Sequence, residues 1–184
     1  MNGLTIMFVV AACAVAPAVY AQSDQEMIDR ALLAAPGNSK ADATVVKWGA
    51  DGKRVVVKQG KNDVVCWDQA PWPGQRPFSV HCTSAASMDR VDQNREFFYK
   101  AGNAADAEKL VQASEKDKTR KLPEFGAGHY GLVGMDQATA RPHATIAVPF
   151  ATSESMKLPS KPSASGAWLM DAGTSGAHIM IPGR

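Results

Sequence analysis

The sequence predicts an α+β fold: a mostly antiparallel sheet with an N-terminal helix, a helical insertion and one disulfide. Three observations predict it. Short β-branched runs are separated by turn sequences, apolar residues recur with helical spacing before and between those runs, and an even pair of cysteines follows an uncharged leader. The chain has 184 residues, is 45% hydrophobic and 21% charged, and carries a formal net charge of +2. Those values exclude a disordered polar tail, a collagen-like or coiled-coil rod and a large multidomain enzyme, and they leave one domain over residues 22–184 as the default.

Residues 1–21 contain no Asp, Glu, Lys, Arg or His. An apolar run from Leu4 to Ala18 ends in Val19-Tyr20-Ala21, with small residues where signal peptidase reads them, so 1–21 reads as a signal peptide cleaved before Gln22. The leader lacks the Lys or Arg that normally precedes such a run. Val10-Ala11-Ala12-Cys13 also fits a lipoprotein box, the alternative being an anchor through Cys13, although mostly apolar residues follow that cysteine. Pro17 and the polar Gln22, Ser23 and Asp24 cut the run too short for a membrane span. The expected location is periplasmic or secreted.

Ser23-Asp24-Gln25-Glu26 forms a capping-box signature, and Met27, Ile28, Ala31, Leu32 and Ala35 then share one helical face up to Pro36-Gly37. Residues 43–48, 54–58 and 64–67 are β-branched runs split by an Asp-Gly turn and by Gly60-Lys61-Asn62-Asp63, which predicts a three-stranded antiparallel meander. Cys66 and Cys82 are the cysteines left after cleavage. In an oxidising compartment they read as a disulfide, and a catalytic cysteine with one of His81, His129, His143 or His178 as its base is the alternative. Between them lies a loop with three prolines, and Phe78 to Cys82 returns as a strand. Trp67 and Trp72 read as a local core rather than as an exposed ligand platform.

A second helix is expected from Ala85 to Ala101, with Met88, Val91 and Phe98 on one face and Gly102 as its stop. Asn103 caps a third, which carries Ala107, Leu110, Val111 and Ser114. The basic run Lys116 to Lys121 reads as a solvated helix end; no aromatic residues interleave with it, so no nucleic-acid partner is expected. Gly126 to Asp136 is glycine-rich but lacks the helix a phosphate-binding loop needs behind it, so it reads as a strand and no cofactor is expected. Further strands are expected at 143–150, 167–170 and 178–182, with an exposed Ser/Pro/Lys-rich excursion over 153–165.

Ala34-Ala35-Pro36, Cys66-Trp67-Asp68 with a second cysteine at Cys82, the Gly128–Gly134 strand and the closing Trp168, Gly176, His178, Met180, Ile181 block together resemble a family of small exported bacterial proteins of unknown function. The resemblance implies export and this layout, and no activity. The family pattern has an Asp-Pro step near Arg141-Pro142 that this chain lacks.

The chemistry-bearing residues are few. His129, His143 and His178 lie near strand starts in the C-terminal third and, with Asp136, are the candidates for a metal or small-ligand site. No Cys-x-x-Cys or His-x-x-x-His supplies a zinc framework, and no Gly-x-Ser-x-Gly or His-Glu-x-x-His supports a hydrolase. The favoured expectation is a non-catalytic exported module that binds a protein partner or envelope component. A metal- or small-ligand-binding protein, or a hydrolase using the three histidines, is the alternative.

Overall fold

A computed structural model describes residues 23–162 and 166–181; the leader, Cys13 and the last three residues lie outside them. The strands are β1 (Thr44–Trp48), β2 (Arg54–Lys58), β3 (Val64–Asp68), β4 (Phe78–Ser84), β5 (Gly128–Gly134), β6 (Arg141–Ala147), β7 (Trp168–Met170) and β8 (His178–Met180). They form one sheet in the order β2-β1-β3-β4-β5-β6-β8-β7. Every neighbouring pair is antiparallel except β1 and β3, which run parallel.

That parallel pair corrects the expected meander: β3 pairs with β1 and β4, and β2 is left at the sheet edge. Burial explains the choice. Val65, Cys66 and Trp67 of β3 are all buried and belong in the middle of the sheet, whereas Val55 and Val56 of β2 are 43% and 51% exposed. To reach its place the chain crosses the start of β1. There the N–H groups of Lys61 and Asn62 donate to the Asp42 carbonyl, and that of Gly60 donates to Thr44 Oγ1. A Cβ on Gly60 would lie 2.2 Å from the Asp42 oxygen, so only glycine fits the crossing.

Alternation along β1 and β3 sorts two cores onto opposite faces of the sheet. On one face, α1 (Asp24–Ala31) and a 3-10 turn over Leu32–Ala34 bring Ala31 and Leu32 onto Val45, Cys66 and Cys82. The capping box forms as expected: Ser23 Oγ accepts the Glu26 N–H, and Glu26 accepts the Ser23 N–H. Cys66 and Cys82 stand directly opposite on β3 and β4 and are joined as a disulfide beneath α1.

On the other face, α2 (Met88–Ala101) packs Met88 and Val91 against Val46, Val65, Trp67 and Trp72. Trp67 and Trp72 are 1% and 4% exposed, so both tryptophans are core. Gly102, at φ 75°, ends α2, and Asn103 caps α3 (Ala104–Lys116) by accepting the Asp106 N–H. The basic run after α3 is only partly the solvated end expected. Arg120 folds back, buried, and donates to Gln93 and Asn94 of α2, and burial pushes its pKa down to about 10. Beyond β6 the expected excursion holds one helical turn, α4 (Ser153–Met156), before β7. Among the described residues no helix is long and apolar enough to cross a membrane.

Candidate functional site

The register of the sheet gathers the histidines. Residues directly opposite in adjacent strands share a face, as do residues two apart along a strand. His81 on β4 stands opposite both Trp67 and Gly131, and His143 on β6 stands opposite Gly131 from the other side. His129 lies two residues before Gly131 and opposite Thr145, while His178 on β8 faces Ala147, two residues on from Thr145. All four histidines of the chain therefore lie on the face that carries α2.

At the buried end of this row the imidazoles touch. His81 Nε2 is 2.9 Å from Ser79 Oγ, and its Nδ1 is 3.1 Å from His129 Nε2. The His81 ring stacks on Trp67 at 5.7 Å between centroids, and His129 meets the same indole edge-on at 5.9 Å. Gly131 makes room for the contact, since a Cβ there would sit 3.1 Å from His81 Nδ1. Burial, with His129 and His143 close by, lowers the His81 pKa to about 3; burial, with His143 and His178 close by, lowers that of His129 to about 4. Both rings are neutral at pH 7, and the shared hydrogen bond needs one ring to donate and the other to accept.

His129, His143 and His178 open onto a cleft of about 350 Å3, closed on its far side by Arg90 and Asn94 of α2. His178 Nδ1 lies 2.7 Å from the Gly176 carbonyl oxygen, so this nitrogen carries the proton and Nε2 is the acceptor of the neutral ring. Burial and the neighbouring His178 also lower the pKa of His143. The structure thus brings three of the four sequence candidates together. Asp136 is elsewhere: at the β5–β6 turn its carboxylate accepts the Thr139 N–H and hydroxyl, which hold its pKa below the usual range. The acid that does line the cleft is Asp171, whose Oδ2 is 3.8 Å from His178 Nδ1.

Sequence reasoning named His81 only as a possible base for a catalytic cysteine, and it missed Arg90, Asn94 and Asp171. For His81 a signal existed. With Cys82 facing the disulfide, alternation along the expected strand already turned His81 to the other face. Arg90 and Asn94 share a helix side at i, i+4, but nothing local marks that side as facing a cleft.

Among the described residues no three His, Cys, Asp or Glu side chains converge closely enough to hold a metal ion. His81 and His129 spend their facing nitrogens on each other. The site is a cleft of imidazoles, an arginine and an amide, suited to hydrogen bonding with a bound molecule. Fold and site together define an α+β protein with one disulfide and a histidine-lined cleft on one face of its sheet. Comparison with protein-family models, curated proteins and solved structures finds no match.

Proposed function

We propose that this protein is an exported, non-catalytic binding module and that the cleft between the histidine face and α2 seats its ligand. The observation that carries the reading is the convergence of His129, His143 and His178 with Arg90 and Asn94 around one open space of small-molecule size, lined by polar and apolar groups alike. The uncharged leader and the Cys66–Cys82 disulfide support export to an oxidising compartment. The hydrolase alternative is disfavoured because Ser79, the hydroxyl bonded to an imidazole, is 1% exposed and out of a substrate's reach.

A fragment screen followed by NMR on the isotope-labelled, disulfide-bonded protein tests this. Bound fragments are expected to shift signals of Asn94, His143, Thr145 and His178 together, with no turnover of ester, peptide or phosphate substrates. Shifts confined to other surfaces, or turnover that disappears in His143→Ala and His178→Ala, would overturn the reading.

A further inference from the structure

The α2 wall of the cleft says what kind of group the ligand presents. Arg90 and Asn94 stand one helical turn apart on the same side of α2. Arg90 is anchored through a single nitrogen: Nη1 donates to the Lys121 carbonyl at 2.7 Å and to Ser175 Oγ at 2.6 Å. Its Nε and Nη2, the side-on edge of the planar guanidinium, have no hydrogen-bond partner among the described residues, and neither is a buried orphan. Glu115 lies 3.8 Å from Nη1, too long for a hydrogen bond, and its carboxylate already accepts the Ser175 N–H and hydroxyl.

Gly176 helps keep that edge open. A Cβ at this position would sit 3.2 Å from Arg90 Nη2. Asn94 is oriented as well. Its Oδ1 accepts from Arg120, and its Nδ2 protons have no hydrogen-bond partner among the described residues. Asp171, the acid of the lining, is exposed. Burial lowers the Arg90 pKa while Glu115 and Asp171 act on its charge from nearby, so an incoming anion competes with these two carboxylates for the guanidinium.

Resting on the binding reading above, we propose that the Arg90 edge and the Asn94 amide form a seat for an oxyanion, the carboxylate or phosphate group of a small molecule. A guanidinium edge offers two parallel N–H donors at the spacing of two oxygens of such a group, and the neighbouring amide supplies a third donor.

Isothermal titration calorimetry on the disulfide-bonded protein at low salt decides it, with acetate, succinate and inorganic phosphate as probes and acetamide and succinamide as uncharged counterparts. The anions are expected to bind at least tenfold more tightly than the amides, and the ranking of succinate against phosphate identifies the source of the group. Arg90→Gln is expected to weaken anion binding at least tenfold. Gly176→Ala, which keeps Arg90 but crowds its edge, should weaken binding in the same direction and covers the case in which Arg90→Gln fails to fold. Equal binding of anions and amides, or anion affinity unchanged in folded Gly176→Ala, would overturn the proposal. If uncharged fragments bind the cleft and anions do not, the oxyanion seat falls and the binding module stands. If neither reaches the cleft, both fall.

Discussion

Two glycines show how single atoms decide this structure. Gly60 lets the chain cross the start of β1 with its own N–H bonded to Thr44 Oγ1, in a space where a methyl group would collide with the Asp42 carbonyl. Gly60→Ala is therefore expected to lower stability by roughly 3 kcal/mol or more, far outside the range of ordinary surface changes. Gly37→Ala, where a Cβ meets nothing within 4 Å, is expected to leave stability nearly unchanged. Urea denaturation of the two variants makes the comparison, and equal midpoints would contradict this account of the crossover. Gly131 acts differently: lacking a side chain, it lets the His81 ring sit close to the strand and reach His129. Neither role shows in the sequence, because a glycine in a turn and a glycine at a crossing look alike until the partner backbone is placed.

The elements divide into those read locally and those set by distant partners. The Ser23 capping box, the Gly102 stop and the Asn103 cap were legible because each works through hydrogen bonds within a few residues. The meander was not, since β2 and β3 both alternate acceptably and only the burial of β3 between β1 and β4 decides the order. The disulfide ties this central pair together. With 16 residues of sequence separation it is expected to stabilise the fold by about 3 kcal/mol through restriction of the unfolded chain. The double variant Cys66→Ala, Cys82→Ala should lose about that much in denaturant unfolding. An unchanged midpoint would mean that the bridge adds nothing to a strand pair already complete.

Across the whole molecule, the histidine face links stability to pH. Above pH 6.5 His81 and His129 are neutral in both the folded and the unfolded chain. As pH falls below 6.5 the unfolded chain takes up protons at these rings, while the folded one resists until about 4 for His129 and about 3 for His81. Stability is therefore full above 6.5 and falls toward pH 4, by up to about 1.4 kcal/mol per pH unit for each ring. Calorimetric melting from pH 7.5 to 4.5 should show that decline, and His81→Phe, which keeps an aromatic ring on Trp67, should flatten it. A slope unchanged by the substitution would place its origin elsewhere. The α+β class and three of the cleft residues were legible from local patterns. The wall contributed by α2 was not, because it depends on where a helix lands over a sheet whose strand order the sequence leaves open.

The gathering of the four histidines on one face is measured most directly by long-range 1H–15N correlation spectra of their side chains between pH 8 and 4. The structure predicts that His81 and His129 stay neutral down to about pH 4, and that His178 keeps its proton on Nδ1 in the neutral form. His81 and His129 titrating near 6.5 would contradict it.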